Sequence, residues 1–200
     1  ESIQGTWSYS GAGYVFLQKA LESAEGSSLE QLAASELFQP WGLQSMTFVE
    51  PHKGNVATGH DRSGTPLERL AWSEPNAASS LYSNVLDYAR FMVRVTGSHD
   101  STAAAPSTLT RRNVVVRNDL GLYWGVGWAL EDNGHGSVSA FHWGSNPGFK
   151  SFALVDLVTE KALVIVTNGD HGLELVQQMV AILDEIPHPL FQFYMLHPDD

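Results

Sequence analysis

The sequence predicts an α+β protein in which an antiparallel sheet is covered by helices, with a helix-rich first half. Two patterns predict this fold class. Apolar residues recur at helical spacing in three segments before residue 97, whereas residues 122–167 contain runs that alternate or are wholly apolar, as strands do. A further helical segment follows these runs. Helices before and after consecutive strands indicate a sheet with helices packed against it.

The first two predicted helices lie close together in the chain. The first covers residues 14–23 and ends before Gly26, a typical helix-stop residue. Its apolar stripe consists of Tyr14, Leu17, Leu21 and Ala24. The second begins at Ser28, which is followed three residues later by a glutamine, the spacing of a capping box. Pro40 is expected to end it near Phe38, and its buried face consists of Leu29, Leu32, Ala33 and Leu37.

A long segment without periodicity separates these helices from the third. Residues 41–74 contain several glycines and prolines and predict a loop with short strands at most, and loops of this length often form functional walls. The third helix covers residues 84–96, and Asn84 supplies its N-cap. A loop is predicted at residues 98–106 and a short helix at residues 108–113. The apolar face of the third helix consists of Leu86, Ala89 and Val93.

Turn signals separate the strand-like runs. Residues 122–130 alternate between large apolar and small side chains, which predicts one strand, and a hairpin-type turn follows at residues 132–134. Two later strands, residues 149–157 and 162–167, are joined as an antiparallel hairpin. Residues 163–166 are apolar at every position, so we expect both faces of this strand to be covered.

A final helix and a tail close the chain. The helix covers residues 173–186 and stops at Pro187, and its apolar residues occupy two adjoining faces, which predicts that it is heavily buried. We therefore predict three parts. Residues 1–120 form a helix-rich part, residues 121–186 form the antiparallel strands with the closing helix, and residues 187–200 form a tail.

Residues 141–150, Phe-His-Trp-Gly-Ser-Asn-Pro-Gly-Phe-Lys, combine a histidine with two glycines. They predict a strand that ends at His142 and a glycine-rich turn that leads into the next strand. Glycine lets a ligand approach the backbone closely, so a histidine at this point suits a reactive cleft. The alternative is a tight turn whose histidine only makes hydrogen bonds nearby.

Composition and charge argue against several classes of function. The net charge of −11 and the lack of a basic stripe argue against nucleic-acid binding. The absence of cysteine excludes disulfides, zinc–thiolate sites and cysteine nucleophiles. The eight histidines lack a metal-binding spacing, so we expect neither a metal nor a cofactor. No run of about 18 apolar residues predicts a membrane span, and the cellular compartment cannot be read from the sequence.

Three segments resemble motifs of one enzyme family. Tyr9-Ser10-Gly11, at the start of the first helix, resembles the second motif of the serine β-lactamase-like and penicillin-binding-protein-like family. His142-Trp143-Gly144 resembles its third motif, and the helix entered at Ser83 resembles another family segment. The resemblance is to the branch of class C β-lactamases, D-alanyl-D-alanine carboxypeptidases and esterases, and extends to about Ile186. It implies a β-lactamase/transpeptidase-like fold and a serine hydrolase that acts through an acyl-enzyme.

The resemblance also implies roles for individual residues. Tyr9 would accept the proton of a serine nucleophile, provided that nearby cations favour its phenolate, and His142 would be its partner as a cation or hydrogen-bond donor. The backbone N–H of Ser145 would help to form the oxyanion hole. The alternative for Tyr9 is an ordinary aromatic residue at a helix start. Lys150 is interpreted as a solvated strand residue rather than as a catalytic one. The residues expected to contact a small ester or amide substrate are Gly11, Trp143, Gly144 and Asn146.

One motif of the family is missing. The nucleophile of the family lies in a Ser-x-x-Lys motif, which occurs nowhere in these 200 residues. We therefore expect the chain to be the C-terminal portion of a longer or cleaved hydrolase, whose upstream segment, or a second chain, carries the nucleophile and completes the sheet. The alternative is a non-catalytic binding or scaffolding protein that retains the cleft. Because Gly11 replaces an asparagine of the family and His142-Trp143 replaces Lys-Thr, we favour an esterase-like or general acyl hydrolase over a dedicated β-lactamase.

Overall fold

A computed structural model describes residues 6–51, 56–69, 71–96 and 114–197 and confirms an antiparallel sheet packed with helices. The strands are β1 (Val114–Arg117), β2 (Leu122–Trp124), β3 (Ala129–Asp132), β4 (Val138–Asn146), β5 (Phe149–Asp156) and β6 (Ala162–Thr167). The helices are α1 (Gly11–Glu25), α2 (Leu29–Ala33, Ala34–Phe38 and Gln39–Trp41 in succession), α3 (Val85–Thr96) and α4 (Gly172–Leu183). Within these ranges the sheet order is β1-β2-β3-β4-β5-β6. The loop and short helix predicted at residues 98–113 lie outside the described residues.

α1 begins three residues before its predicted start at Tyr14 and ends at the predicted glycine. The side chain of Ser10 accepts a hydrogen bond from Gly13 N at 3.1 Å, which caps the helix. Gly26 follows the last turn in the left-handed conformation, with φ +67°. Periodicity missed the first turn because its two glycines carry no apolar side chain, whereas the serine cap was a usable signal.

The apolar stripe of α1 faces outwards in the described structure. Leu17 is 60% exposed, and the buried residue of the helix is instead Gln18. The Gln18 side chain donates a hydrogen bond to Pro75 O and accepts one from Ala77 N, at 3.0 and 2.9 Å. A polar contact with the loop before α3 therefore holds α1 in place, and Phe16 and Leu17 remain largely exposed in the described structure.

α2 extends beyond its predicted end. The capping box at its start is confirmed, with both reciprocal hydrogen bonds present. The prediction that Pro40 ends the helix near Phe38 is wrong, because the helix continues to Trp41 and stops at Gly42. The turn just before the proline, Ala34–Phe38, is π-helical. A wider turn changes the position of the preceding carbonyls, so the proline ring is accommodated inside the helix.

α3 packs on the sheet with a different face from the one predicted. Its cap is confirmed, because Asn84 Oδ1 accepts a hydrogen bond from Asp87 N at 2.8 Å. The predicted apolar face is exposed, and Val93 is 63% accessible to solvent. Met92 and Val95 are buried instead and belong to a core cluster with side chains of β3, β4 and β5. Apolar residues occur on more than one side of this helix, so spacing alone could not show which side the sheet covers.

The strand predicted at residues 122–130 is two strands. β2 and β3 form a hairpin in which Trp124 pairs with Ala129, and Gly125 N donates to Trp128 O at 2.7 Å. The alternation that predicted one continuous strand crosses this turn, where Gly127 has a φ of +78°. β1, which pairs with β2, was not predicted. The turn at residues 132–134 and the hairpin between β5 and β6 are confirmed.

Helices cover the sheet from both sides. On one face, α4 and the segment after it pack on alternate residues of β4 and β5, with Phe141 and Phe152 at the centre. On the other face, α3 packs on the neighbouring residues, such as Ala140 and Ala153. Successive side chains of a strand point to opposite faces, so β4 carries residues of both clusters. A third cluster lies between α2 and the loop that follows it.

The closing helix and the last strand are less buried than predicted. α4 buries one face through Leu173, Val176 and Val180, whereas Ile182 on the adjoining face is 81% exposed. The prediction of burial on two faces is therefore wrong for the described structure. Val166 of β6 is also exposed, so the expectation that both faces of this strand are covered fails there. Among the described helices, none combines the length and the apolarity needed to cross a membrane.

The segment after α4 contributes to the core. Residues 187–197, which the sequence assigned to a tail, bury Leu190, Phe193 and Leu196. Glu131 of β3 anchors this segment, because its carboxylate accepts hydrogen bonds from His188 Nδ1 at 2.6 Å and from Leu190 N at 2.7 Å. Glu131 is completely buried, so this pair of bonds satisfies a carboxyl group that has no access to water.

Candidate active site

The end of β4 has a free backbone edge. β3 pairs with β4 only as far as the pair Ala129↔Phe141, and no other described residue forms a strand beyond that point on the same side. β5 pairs with the opposite side of β4 up to Asn146↔Phe149. Within the described parts of the chain, residues 142–146 therefore have a strand neighbour on one side only.

His142 lies inside β4, so the prediction that the strand ends at this residue is wrong. The strand continues for four more residues, because the two-residue turn of Pro147 and Gly148 lets the hairpin pair up to its last position. Gly148 has a φ of +75°, which is the conformation that the third residue of a type II turn requires after a proline. The predicted glycine-rich turn is thus confirmed, but it begins after Asn146 rather than directly after His142.

The register determines which backbone groups point to the free edge. Leu157 N donates to Val138 O at 2.9 Å, so the carbonyl of Val138 points to the β5 side. Backbone groups alternate between the two sides of an antiparallel strand, and β4 pairs with β5 without a shift in register. The even-numbered residues of β4 therefore bond to β5. The N–H and C=O groups of Trp143 and Ser145 point to the free edge.

The start of α1 and the loop before α3 lie beside this part of β4. The Asn146 side-chain amide donates a hydrogen bond to Ser79 O at 2.9 Å. At Gly11, the position that a β-carbon would occupy is 3.5 Å from the β-carbon of Ala78, in the same loop. Gln18 of α1 also holds this loop, through its hydrogen bonds to Pro75 and Ala77. Two of the predicted substrate-binding residues, Gly11 and Asn146, are thus brought together through residues 78–79.

Tyr9 and Trp143 are brought together directly. Their rings stack with centroids 6.1 Å apart, and Tyr9 remains half-exposed. The Trp143 side chain is only 8% exposed, and it also contacts Phe141 and Phe193. Its indole is therefore part of the core beneath Tyr9, and its backbone is the part that reaches the free edge.

The His142 ring lies beside the Trp143 ring, with centroids 5.8 Å apart. It meets the rings of Trp124 and Trp128 edge-on, with centroids 6.4 and 5.9 Å away. Burial lowers the pKa of His142, although a hydrogen bond between Nδ1 and Trp143 O partly opposes this. A carbonyl can only accept, so Nδ1 carries the proton and Nε2 of the neutral ring is an acceptor. Of the two predicted forms of His142, a cation and a neutral hydrogen-bond donor, this result favours the neutral imidazole at neutral pH.

The two residues after Trp143 are held by close cross-strand neighbours. A β-carbon at Gly144 would lie 2.5 Å from the Ser151 hydroxyl oxygen, so a larger residue there would force that hydroxyl to move. Ser145 pairs with Lys150 and is exposed. Small residues at both positions leave the free edge of β4 open to a ligand.

Comparison with known proteins identifies the family. The family described as Beta-lactamase matches residues 2–185. The chain belongs to the β-lactamase family. This finding confirms the family resemblance, and the six-stranded sheet with its helices agrees with it. It places the chain in a family of hydrolases.

Similar proteins support the same assignment. Penicillin-binding protein 4 of Amycolatopsis lactamdurans is 31% identical over a 180-residue alignment, and the match covers 81% of this chain and 47% of that protein. The octameric penicillin-binding protein homologue from Pyrococcus abyssi has a similar fold, with a TM-score of 0.75 at 18% identity, over 94% of this chain and 45% of that one. A β-lactamase/D-alanine carboxypeptidase from Pseudomonas syringae has a TM-score of 0.71 at 17% identity, over 90% and 60% of the two chains. The chain thus spans about half the length of these relatives.

This β-lactamase-family chain also contains an ion pair that the sequence analysis missed. Lys150 was interpreted as a solvated strand residue, but it is only 6% exposed, and its ammonium group lies 2.6 Å from Asp170 Oδ1. The hydrogen bond from Lys150 is the main cause that lowers the pKa of Asp170. Asp170 is twenty positions away in sequence, and the only local signal was a lysine in a strand that is otherwise largely apolar.

Replacing Gly148 should destabilise the fold more than replacing a comparable glycine elsewhere. Both Gly148 and Gly134 have positive φ, but a β-carbon at Gly148 would lie 2.8 Å from Gly59 Cα, whereas nothing lies within 4 Å at Gly134. We expect Gly134→Ala to cost about 1–2 kcal/mol from the left-handed backbone alone, and Gly148→Ala to cost more. Urea unfolding of the two variants tests this, and equal losses would contradict the close contact.

Proposed function

We propose that this chain forms one wall of the active site of a serine hydrolase that cleaves an ester or amide through an acyl-enzyme. The observation that carries the proposal is the free edge of β4. It offers the N–H of Ser145 beside the start of α1, where Tyr9 lies, within a chain of the β-lactamase family. The substrate is a small molecule, since no feature of the described surface suggests a nucleic-acid partner in a chain with a net charge of −11.

The proposed role of Ser145 is to stabilise the oxyanion. A tetrahedral intermediate places negative charge on the former carbonyl oxygen, and backbone N–H groups that are already oriented stabilise it without reorganisation. The Ser145 N–H points to the free edge because the bonds of β4 to β5 use the even-numbered residues. In this proposal Trp143 contacts the substrate through its backbone groups at the free edge. Gly144 has no side chain that would block the approach of the substrate to the strand.

Tyr9 is proposed to accept the proton of the nucleophile, and His142 is proposed to be its hydrogen-bonding partner. A serine hydroxyl becomes an effective nucleophile when a neighbouring group accepts its proton, and Tyr9 is a half-exposed tyrosine stacked on Trp143 of β4. Burial lowers the pKa of His142 and its Nδ1 bonds to Trp143 O, so we propose that it acts through Nε2 as a hydrogen-bond acceptor rather than as a cation. In this proposal, the cation that favours the phenolate of Tyr9 comes from the nucleophile segment, where the Ser-x-x-Lys motif of the family contains a lysine.

The region around α1 is consistent with a substrate that needs few polar contacts. Gly11 has no side chain, and it faces the Ala78 methyl group. Asn146 uses its amide nitrogen to bind Ser79 O, which leaves its carbonyl oxygen as an acceptor. We therefore propose an ester or a simple amide as the substrate class, in line with an esterase-like or general acyl hydrolase.

The nucleophile is proposed to come from an upstream segment or from a second chain. No Ser-x-x-Lys occurs in the 200 residues, and the chain spans about half the length of the similar proteins. The outward apolar side chains of α1, Phe16 and Leu17 among them, provide a surface for such a segment. Covering them would bury these side chains and would complete the environment of Tyr9.

Labelling with an active-site probe tests the proposal. We expect the natural product of the gene to react with a fluorophosphonate or penicillin probe, with the adduct on a serine of a Ser-x-x-Lys motif that precedes Tyr9. Mass spectrometry of the labelled peptide identifies the serine. Heat-denatured protein is the control for non-specific labelling, and the absence of any serine adduct on the native protein would refute the proposal.

The missing motif favours a second candidate, a non-catalytic binding or scaffolding protein that retains the cleft. An intact mass of the natural product near 21.9 kDa, the mass of this chain, with no second chain co-purifying, would support this candidate. A larger product, or a stable complex with a chain that contains the motif, would support the hydrolase. The same purification therefore separates the two candidates.

A further inference from the structure

We propose that Lys150 and Asp170 are positioning residues that hold the β4–β5 turn and thereby fix the Ser145 N–H at the free edge. We call the four groups involved the turn clamp: the Lys150 ammonium, the Asp170 carboxylate, Asn146 O and Gly148 N. The inference deepens the proposed function and rests on it, because it assigns no contact with substrate to either residue.

The turn clamp joins both ends of the turn to one carboxylate. Lys150 Nζ donates to Asn146 O at 3.1 Å and to Asp170 Oδ1 at 2.6 Å. The same Asp170 oxygen accepts a hydrogen bond from Gly148 N at 2.8 Å. The last residue of β4, the middle of the turn and the second residue of β5 are thus connected through charge-assisted bonds, which are about twice as strong as neutral ones.

Two neighbouring segments pack against the turn clamp. A β-carbon at Gly172 would lie 2.6 Å from the Lys150 β-carbon, so the start of α4 lies directly against the stem of the lysine. On the other side, Gly59 lies against Gly148 and Phe149. Asp170 N donates to His60 O at 3.1 Å, which ties the loop of Gly59 to the same carboxylate residue. The loop of residues 41–74, which was predicted to form a functional wall, therefore packs against the β4–β5 turn through Gly59.

Burial makes the turn clamp sensitive to the loss of either charge. A buried ammonium is stable only with hydrogen-bonding partners of opposite charge, and here those partners are the groups of the turn. Ser145 is paired with Lys150 across the hairpin and precedes Asn146 in β4. A turn released at Asn146 O and Gly148 N would let this end of β4 shift, and a misplacement of about 1 Å can reduce catalysis about 100-fold.

Pre-steady-state acylation of the natural gene product, with a p-nitrophenyl ester, tests the positioning role. The burst amplitude counts active sites, so the acylation rate constant per active site is independent of any unfolded fraction. We expect Lys150→Met to reduce this constant at least about tenfold and to change the dissociation constant of the substrate little, because the loss concerns the transition state. Lys161→Met, at the exposed opposite end of the β5–β6 hairpin, is the matched control and should match the wild type.

Amide hydrogen exchange tests the turn clamp separately from activity. In this chain, we expect the Gly148 amide to exchange at least about tenfold faster in Lys150→Met than in the wild type and in Lys161→Met, because its acceptor is no longer fixed. Unchanged exchange, or an unchanged acylation rate per active site, would overturn the inference. A wild type that never forms an acyl-enzyme would instead overturn the proposed function, and the exchange rates would still decide whether the clamp exists.

Discussion

Replacing Ser145 with proline is expected to slow acylation by roughly 10²–10³-fold, the effect of removing one oxyanion-hole donor. The substitution removes the N–H of residue 145 and nothing else that the sheet uses, because this N–H points away from β5. A proline is tolerated at a strand position whose N–H lies on an unpaired edge. The measurement is the acylation rate constant of the natural gene product per active site.

Ser145→Ala is the matched control for this prediction. It removes the hydroxyl but keeps the backbone N–H, so we expect acylation within about threefold of the wild type. Equal and large losses in both variants would assign the role to the hydroxyl. Wild-type acylation in Ser145→Pro, with circular dichroism showing a folded protein, would exclude the N–H as an oxyanion donor.

Removing His188 should strongly destabilise the fold. Glu131 is fully buried, and in His188→Leu its carboxylate would lose the Nδ1 donor at 2.6 Å. Breaking one partner of a buried ion pair costs about 3–5 kcal/mol, and the segment with Leu190 and Phe193 should detach first. The free energy of urea unfolding, followed by tryptophan fluorescence, measures the loss. His135→Leu, in an exposed turn, is the control and should change it by no more than about 0.5 kcal/mol.

The same pair predicts how stability depends on pH. Burial alone would lower the pKa of His188, but its bonds to Glu131 and Asp184 outweigh burial and raise it. A raised folded-state pKa means that folding favours the protonated form. The stabilisation is therefore complete below the unfolded value of about 6.5 and is lost as the pH rises through the folded value. A free energy of unfolding that does not decrease across this range, or the same decrease in His188→Leu, would contradict this assignment.

The sequence predicted well those features of the fold that depend on short-range contacts, namely helix caps and tight turns. The capping box at Ser28, the cap at Asn84 and the turn at residues 132–134 depend on contacts within four residues, and all three form. The choice of buried helix face depends on distant partners. α1 and α3 both turn their predicted faces outwards, because the loop contact of Gln18 and the sheet contact of Met92 decide the packing.

Long-range contacts also explain what the sequence could not predict in the candidate site. The order of motifs indicated that Tyr9 and residues 142–146 lie together, and the structure places the Tyr9 ring on Trp143. The free edge of β4 could not be predicted, since it depends on where β3 stops pairing, at Ala129. The buried state of Lys150 likewise depends on Asp170, at the far end of β6. Alternation in residues 122–130 was misleading because a hairpin can preserve it by chance.

The structure of a covalent adduct would test the central claim most directly. A phosphonate bound to the nucleophilic serine mimics the tetrahedral intermediate, and its oxygen marks the position of the oxyanion. We predict that this oxygen lies about 2.7–3.1 Å from Ser145 N, on the free edge of β4. An adduct oxygen held by other groups, with Ser145 N beyond hydrogen-bonding distance, would contradict the assignment of this edge as the wall of the active site.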